Sequence, residues 1–516
     1  MFYQEQQFYK LPTVLRKLEQ MAGTSFATLI ENGSADPMTE IANIIAAEHA
    51  GEGYSYGLHS DNAAFAYNKT DAVAVRMKDG HGVIVDPDNF DVADPDHKID
   101  EMTPLDCVLF ATAVKTSLAG FYMLVRYDLL ACYANPYLKT NDSIWEFYEG
   151  IECECRSTVI DVRDMSVASL PYYKFRNLNE TEAYDLDHVR DAIAASGGHI
   201  IATEKLDGSM IQMRYVDDPV FEHGLLYSTS GTLSGSPEAA DNEHLKALYD
   251  LHLNGTEMER HLGLAKAYPH LTFVFEFVHP QEDRHVVVYD KSREGLYLTG
   301  ARDVGSGRLL GHREIKAMAA EYGIPVPQVL ATDIDEALAL QRDGDGSACE
   351  GMVVNVGDDL DRDGSGGWLV KVKLDGFLEL SHIYHEIEGA AGFKAIGKMA
   401  LDGTVDDALP ILPDGLRDYV KAVVSRFEGF DEDMRSVIDD LAATGLAQAN
   451  GSRKEYAVYV NGLAIPGIWR GWLFQTAFGE PIEHFWADKK GTEYRFLAQR
   501  EFEEREAALT NWLAEV

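Results

Sequence analysis

The chain has 516 residues, of which 46% are hydrophobic and 25% are charged, and its formal net charge at pH 7 is −40. This composition is typical of a globular protein with two or three domains, and the acidic excess argues against a broad basic face that coats nucleic acid. No apolar run approaches the roughly 20 residues of a membrane span, and the N-terminal sequence MFYQEQQFYK does not resemble a signal peptide. The cysteines are few and form no CxxC pair, which suits a reducing compartment. We therefore expect a cytoplasmic protein with no membrane partner.

Three regions follow one another along the chain. Residues 1 to 115 begin with an amphipathic helix pattern, KLPTVLRKLEQMAG, and continue with strand-like alternation in AVAVRMKDGHGVIVD, where Asp79-Gly80 predicts a turn. Between 116 and 380, short strands and helices follow in an order that favours an antiparallel α+β fold over regular βαβ units. The predicted strands are FYMLVRYDLLACY, STVIDV, MIQMRY, FVFEFV, GLYLTGARD, GMVVNV and WLVKVKL.

The third region, 381–516, is predicted to be helical. In PDGLRDYVKAVVSRF, apolar residues recur at helical spacing, and such a stripe indicates a helix face that packs into a core. The residues expected in this core are Leu416, Tyr419, Val420, Val423, Val424 and Phe427.

The tetrapeptide KLDG occurs twice, at 205–208 and at 373–376. The first copy follows the apolar strand IIAT and precedes an alternating strand, so Lys205 lies where a strand meets a tight loop that can approach a ligand. In the second copy, Lys371 and Lys373 lie on one face of the strand LVKVKL. One copy thus offers a nucleophile and the other a pair of cations. The alternatives are a solvated turn lysine and the polar face of an amphipathic strand.

A nucleophilic lysine must first lose its proton. At a pKa of about 10.4, roughly one amine in a few thousand is neutral at pH 7, and burial or neighbouring cations lower that pKa. We expect Lys371 and Lys373 to supply those cations to Lys205 and to neutralise a bound triphosphate. Glu276 in FVFEFV and Glu350 in CEGMVV lie in or beside apolar strands, where a carboxylate is costly unless it is paired or binds a metal. The alternative for both is an edge-strand carboxylate.

The motifs EKLDGS, FEFV, EGMVV and KVK occur in an order that resembles motifs I, III, IV and V of the covalent nucleotidyltransferases, which include ATP-dependent RNA and DNA ligases and mRNA capping enzymes. Upstream, ECRSTVIDVRDMSVASLPYYKFRNLNE resembles the segment before the nucleophile in phage-type ATP-dependent RNA ligases, the tRNA-repairing RNA ligase 1 family. Downstream, SRKEYAVYV and WLFQTAFGEP resemble that family's helical C-terminal domain. The resemblance implies an α+β fold: an N-terminal extension of unknown role over 1–115, an antiparallel-sheet, ATP-grasp-like nucleotidyltransferase domain over 116–380, and a helical C-terminal domain over 381–516.

The resemblance also implies an activity. Lys205 would attack the α-phosphate of ATP, carry AMP, and pass it to a 5′-phosphate RNA end, from which a 3′-hydroxyl end would displace it, with Mg²⁺ or Mn²⁺ assisting. The partner would be RNA with such ends, a broken tRNA among the candidates, and the chain would act as a monomer, in the host cytoplasm if it is phage-encoded. The implied catalytic residues are Lys205, Lys371 and Lys373, and the implied metal ligand is Glu350. The implied nucleotide-binding residues are Arg156, Lys174, Phe175, Glu204, Gly208, Ser209, Glu276, Glu350, Lys371 and Lys373.

Some positions depart from the family's pattern. In YSTSGTL, Ser230 stands where the family commonly has Lys or Arg, and the loss of that cation would weaken triphosphate binding unless a residue such as Arg214 compensates. Ser157 replaces a Gly, Arg176 replaces a Phe, and Phe377 stands where Tyr is frequent. Two alternatives stay open. A DNA ligase or capping-type enzyme usually continues into an OB-fold barrel, which the helical tail disfavours; a homologue that only binds RNA or nucleotide is favoured by Ser230 and opposed by the intact motifs.

Overall fold

The structure is a computed structural model, and it describes residues 10–48, 54–58, 73–76, 81–85, 99, 102, 104–127, 151, 154–253, 255–279, 286–287, 289–358, 368–378, 381, 405, 409, 414–463, 465 and 467–479. The chain forms two compact units, Met1–Leu374 and Asp375–Val516. The three-part division expected from the sequence stays a prediction. Within the described residues, no helix is both long enough and apolar enough to cross a membrane.

The N-terminal helices pack into one core with the first strands of the following sheet. They are α1 (Lys10–Ala22), α2 (Phe26–Glu31), α3 (Pro37–Glu48) and α4 (Pro104–Ala113). The predicted amphipathic helix is confirmed, since α1 buries Leu11, Val14, Leu15 and Leu18. Its N-terminus is held by Glu154, whose carboxylate accepts hydrogen bonds from the backbone N–H groups of Leu11 (2.7 Å) and Lys10 (3.2 Å). A carboxylate at this position satisfies N–H groups that have no partner within the helix.

The predicted antiparallel strands are confirmed, and they form four sheets. A small N-terminal sheet has the order β1 (Tyr54–Leu58), β3 (His81–Val85), β2 (Val73–Arg76). The turn predicted at Asp79-Gly80 lies outside the described residues. We call the next sheet the upstream sheet; its strands, in both chain and spatial order, are β4 (Val114–Ala119), β5 (Tyr122–Tyr127), β6 (Arg156–Asp161) and β7 (Ser166–Ser169).

Two further four-stranded sheets carry the motifs. The lysine sheet has the order β13 (Val329–Ala331), β8 (Ile200–Lys205), β14 (Gly351–Val356), β15 (Trp368–Lys373). The glutamate sheet has the order β10 (Leu225–Ser228), β9 (Ser209–Tyr215), β11 (Leu271–Val278), β12 (Gly295–Asp303). The helices between these strands are α5 (Leu186–Ala195), α6 (Glu243–His252), α7 (Gly255–Ala267), α8 (His312–Tyr322) and α9 (Ile334–Asp343).

Alternation along β11 decides which face of the glutamate sheet carries chemistry. Phe273, Phe275 and Phe277 are buried in a core to which α6, α7 and α8 contribute Leu248, Leu264 and Ile315, among others. Because successive side chains of a strand point to opposite faces, Glu276 lies on the face away from these helices. The apolar run FVFEFV is therefore a strand with one polar side chain on its second face.

A buried polar contact joins the glutamate sheet to the upstream sheet. Gln212 of β9 is fully buried. Its amide nitrogen donates to the carbonyl of Ser157 (2.6 Å) and to Ser228 Oγ (2.8 Å), and its amide oxygen accepts from Ser169 Oγ (2.7 Å). Since a buried polar group without partners is costly, this residue fixes how the two sheets meet.

The second unit contains three described helices, α10 (Asp414–Gln448), α11 (Arg453–Gly462) and α12 (Gly467–Phe478), which confirms the predicted helical tail over these ranges. Their core includes Tyr456, whose hydroxyl donates to the carbonyl of Leu473 (2.9 Å). Of the core residues predicted in this tail, Val420 is fully buried and Val424 is partly buried. The other four side chains lie outside the described part: Leu416, Tyr419, Val423 and Phe427.

We predict that Gln212→Ala lowers the free energy of unfolding by roughly 1–3 kcal/mol, because it leaves buried partners on both sheets unsatisfied. Urea unfolding followed by tryptophan fluorescence measures this change. Gln328→Ala is the control, since Gln328 is exposed. Equal unfolding midpoints for the two variants would contradict the structural role of Gln212.

Candidate active site

The lysines of the two KLDG copies meet on one carboxylate. Lys205 at the end of β8 forms an ion pair with Glu350 Oε2, and Lys373 at the end of β15 places its Nζ 2.9 Å from Glu350 Oε1. The meeting follows from strand order, because Gly351 at the start of β14 is in register with both lysines. Glu350 is only 4% exposed, so two cations compensate one buried carboxylate.

Glycine at position 351 is required by the backbone. Gly351 has a φ of +151°, and a Cβ there would lie 2.3 Å from the carbonyl oxygen of Val372. A side chain would therefore push β14 away from β15. The motif EGMVV thus places the carboxylate of Glu350 directly before Gly351. Only glycine at this position allows β14 to pair so closely with the strands that carry Lys205 and Lys373.

The glutamate sheet brings a second carboxylate to Lys205. The N–H of Gly208 donates to Glu276 Oε1 (3.2 Å), and a Cβ on Gly208 would lie 2.5 Å from the carbonyl oxygen of Phe277. The loop after Lys205 can therefore lie directly against β11. Burial raises the pKa of Glu276 to about 7; Lys205 opposes this shift, and Glu350 adds to it.

The pKa of Lys205 is raised above its ordinary value. Burial acts to lower it, but Glu350 and Glu276 favour the ammonium form and outweigh burial. The depressed pKa expected for Lys205 is therefore not found, because the two carboxylates outweigh burial. The reason is geometric: Lys373 binds the same carboxylate as Lys205.

Lys371 is the lysine whose pKa falls. Burial, with Arg156 and Lys205 nearby, lowers the pKa of Lys371 to about 7. Its Nζ lies 4.7 Å from the centre of the Phe175 ring, a cation–π contact. The segment that carries Phe175 is fixed to β15, because the N–H of Lys371 donates to the carbonyl of Arg176 (3.0 Å) and its carbonyl accepts from the N–H of Leu178 (2.8 Å).

Three upstream candidates gather on this side of the lysine sheet: Arg156, Lys174 and Phe175. Arg156 Nη1 donates to the Tyr127 hydroxyl (2.7 Å), and Lys174 Nζ lies 5.4 Å from the centre of the same ring. Tyr127 was not predicted as a site residue; the only signal for it was its place within the predicted strand FYMLVRYDLLACY. Arg156, Lys174 and Lys371 thus lie beside two aromatic rings, those of Tyr127 and Phe175.

Two other candidates do not lie in this group. Glu204 alternates with Lys205 along β8, and its carboxylate binds Arg293 Nη2 at 2.7 Å. Ser209 is in register with Phe277, one position from the pair formed by Met210 and Glu276. The nucleotide contacts predicted for Glu204 and Ser209 remain predictions. The ion pair of Glu204 with Arg293 holds β8, the strand that ends at Lys205.

A set of residues that sequence reasoning missed holds the loop after Lys205. Asp207 Oδ2 accepts from the N–H groups of Val286 (2.8 Å) and Val287 (3.0 Å), and the N–H of Asp207 donates to the Tyr289 hydroxyl (2.8 Å). Arg293 lies over the Tyr289 ring, 5.5 Å from its centre. Asp207 was visible as the third residue of KLDG, but its partners are about 80 residues away.

Two departures from the family pattern touch each other. Ser157 is the extra residue of a β-bulge, because Val125 pairs with Thr158 and Arg126 pairs with Arg156. Its φ is +78°, a value that explains why glycine is frequent at such a position. Ser157 Oγ donates to the carbonyl of Ser230 (2.6 Å).

Arg214 does not compensate for the cation missing at position 230. Its guanidinium donates to the carbonyls of Pro269 (2.9 Å) and Ala168 (2.6 Å), which commits it to holding backbone segments. The condition under which Arg214 would replace the missing cation is therefore not met. Arg176, at the other substituted position, pairs with Glu180 at 3.4 Å.

The donor set for a metal is small. Within the described part of the chain, no three His, Cys, Asp or Glu side chains form a group that could hold a metal ion. Glu350, the implied metal ligand, is the kind of carboxylate that a hard cation takes together with oxygen ligands from a substrate and from water, which is the usual binding mode of Mg²⁺ at phosphate-processing sites.

The fold and the site together define a class: an antiparallel-sheet domain in which a strand-end lysine lies among carboxylates and further lysines. Residues 154–376 match the family model described as RNA ligase, of the T4 RNA ligase 1 type. The comparison with curated proteins gave no significant match.

Several solved structures are similar to parts of the chain. An archaeal ATP-dependent RNA ligase is 15% identical over 55% of this chain and 63% of its own in one form (TM-score 0.33), and 15% identical over 64% and 76% in a second form (TM-score 0.32). A lysine-to-alanine variant of the Naegleria gruberi RNA ligase, with ATP and Mn, is 16% identical over 38% of this chain (TM-score 0.29). The match spans 54% of the length of that Naegleria gruberi protein.

We predict that Glu350→Gln lowers the pKa of Lys205, because the amide no longer stabilises the ammonium form. Competitive acetylation at about pH 8, read by mass spectrometry, should then modify Lys205 faster relative to the exposed Lys246. Glu314→Gln is the matched control, since it removes a carboxylate that pairs with Arg308 elsewhere. An unchanged ratio of Lys205 to Lys246 labelling in Glu350→Gln would contradict the ion-pair argument.

Proposed function

We propose that the protein is an ATP-dependent RNA ligase that joins 5′-phosphate and 3′-hydroxyl RNA ends through a covalent AMP on Lys205 and an adenylylated RNA end. The observation that carries the proposal is the ion-paired arrangement of Lys205, Glu350 and Lys373 inside a segment of the RNA ligase family. The assignment of 116–380 as an ATP-grasp-like nucleotidyltransferase domain is part of this proposal, as are the 1–115 extension and the 381–516 C-terminal domain.

Lys205 acts as the nucleophile. Its Nζ attacks the α-phosphorus of ATP, a P–N bond forms, the bond to the bridging oxygen of the β-phosphate breaks, and pyrophosphate leaves. Before the attack, the ammonium group of Lys205 must release a proton to water and give up its ion pair with Glu350. Lys373 stays paired with the second oxygen of Glu350 while Lys205 leaves it. A divalent metal held by Glu350 would neutralise the carboxylate and phosphate charges at this point.

The remaining candidates bind the nucleotide. Lys371, Lys373, Arg156 and Lys174 neutralise the phosphates, and Phe175 supports Lys371 through its ring. Glu276 binds the ribose hydroxyls, a role that its protonated form can also fill as a donor at neutral pH. Gly208 lets the loop approach. Glu204 positions Lys205 from the opposite face of β8 through Arg293.

RNA follows as the partner from the family of residues 154–376. With a net charge of −40, the protein repels polyanions over most of its surface, so the RNA end must be bound by a local group of cations. A broken tRNA as the natural substrate, a monomeric state and Mg²⁺ as the metal belong to the same proposal.

We predict that incubation with ATP and Mg²⁺ adds one AMP to the purified protein, and that Lys205→Ala abolishes this addition because it removes the amine to which the proposal attaches AMP. Intact-protein mass spectrometry measures it, and Lys246→Ala, which removes an exposed lysine, should label normally. Normal labelling of Lys205→Ala would refute the central assignment. If protein free of pre-bound AMP gains no nucleotide from ATP, GTP or NAD⁺, a homologue that only binds RNA or nucleotide becomes the better account.

We also predict that nucleotide binding takes up a proton at about pH 8. The pKa of Lys371 is lowered to about 7, so this amine is mostly neutral at that pH, and phosphate oxygens restore its charge. Affinity should therefore fall as pH rises above 7. Calorimetry with an ATP analogue that has a methylene bridge between the α- and β-phosphates, in buffers of different ionisation enthalpy, measures the uptake. Lys371→Arg should bind without it, and equal uptake in both proteins would contradict the assignment.

A further inference from the structure

Three basic residues lie directly opposite one another across three adjacent strands of the upstream sheet. Arg126 of β5 is in register with Lys115 of β4 on one side and with Arg156 of β6 on the other. We call these residues the basic row. Like charges in directly opposed positions of neighbouring strands destabilise a sheet. An anion bound along the row would reduce this repulsion.

Arg126 lies against a turn whose glycine packs closely on its guanidinium. The turn, residues 229–232, is closed by a hydrogen bond from the N–H of Thr229 to the carbonyl of Thr232 (3.1 Å). A Cβ on Gly231 would lie 3.0 Å from Arg126 Cζ and 3.1 Å from its Nε. Nε is buried, and within the described residues it has no hydrogen-bond partner. A buried donor without a partner is costly, and an incoming phosphate oxygen would satisfy the guanidinium.

The same turn connects the row to the candidate active site. Ser157 Oγ donates to the carbonyl of Ser230, and Ser157 directly follows Arg156 in the bulge. Arg156 in turn acts on the pKa of Lys371. From Arg156, the basic row runs through Arg126 to the exposed Lys115 on β4, the edge strand of the upstream sheet. At the usual spacing of strands, the row spans about 10 Å.

We propose that Arg126 and Lys115, with the turn 229–232, form a phosphate subsite that extends outward from Arg156. The ligand chemistry is a phosphate ester, and two sources share it: the RNA backbone near the reacting end, and the triphosphate of ATP. The geometry favours RNA. The proposed function already places Lys371, Lys373, Arg156 and Lys174 on the triphosphate, whereas Arg126 and Lys115 continue to the sheet edge, where a longer strand enters. This subsite rests on the proposed function for its biological meaning.

Binding measurements on the full-length protein separate the two sources. The RNA probe is a 5′-phosphorylated single strand of about 12 nucleotides with a 3′ fluorophore, followed by anisotropy at several salt concentrations; the ATP analogue is followed by calorimetry. The variants are Arg126→Met, Lys115→Met and Gly231→Ala, the last of which keeps the charge and displaces the guanidinium. The control is Arg260→Met, which removes one cation from α7, where Arg260 pairs with Glu257. Thermal unfolding checks that each variant folds.

We expect Arg126→Met and Lys115→Met each to weaken RNA binding roughly tenfold, with a salt dependence shallower by about one ion, and Gly231→Ala to weaken it less. Analogue affinity and AMP addition should stay within about twofold of the wild type, and the control should match the wild type. A loss confined to the ATP analogue would overturn the RNA assignment, and no loss with either ligand would overturn the subsite. If the wild type gains no AMP but shows these RNA losses, the proposed function fails while the subsite stands.

Discussion

The buried carboxylate of Glu350, held between Lys205 and Lys373, is the interaction on which the rest of the site depends. Each lysine comes from the end of a strand that flanks β14, so the three charges can meet only if β8, β14 and β15 pair in this register. Removing one partner of a buried ion pair typically costs about 3–5 kcal/mol. The site and the pairing of the lysine sheet therefore stabilise each other, and Gly351 is the backbone condition that permits both.

The charge balance suits a polyanionic substrate. The charged forms of one acidic and one basic side chain are both disfavoured: the pKa of Glu276 rises to about 7 and that of Lys371 falls to about 7. Burial is the largest cause in both cases. Phosphates beside Lys371 would favour its charged form, and a cation beside Glu276 would favour its carboxylate. The protein alone leaves both charges incompletely stabilised, and the nucleotide and metal of the proposed function would supply the missing counter-charges.

Local pattern predicted the strands well, because alternation and apolar runs are properties of consecutive residues. GLYLTGARD became β12, and the single glutamate of FVFEFV emerged on the face away from the helices. The motif order also singled out Lys205, Glu276, Glu350, Lys371 and Lys373, which the structure brings close together and whose roles stay predictions. The direction of the Lys205 pKa was not predictable, because it depends on which carboxylates the loops bring near the amine. Two other sets of contacts join segments that are distant in sequence, so residue spacing could not predict them. They are the contacts among Asp207, Tyr289 and Arg293 and the packing of Arg126 on Gly231.

The two serine departures are best understood together. Ser157 holds a left-handed conformation that typically costs a non-glycine residue about 1–3 kcal/mol, and its hydroxyl donates to the carbonyl of Ser230. This hydrogen bond ties the 229–232 turn to the bulge beside Arg156, and the turn in turn packs its glycine on Arg126. The cation missing from position 230 is thus accompanied by an arginine on the neighbouring strand that faces the same turn. In the proposed subsite this arginine contacts RNA, and the cations assigned to the triphosphate, among them Arg156 and Lys371, are all present. A serine at position 230 therefore does not by itself argue for a protein that has lost its chemistry.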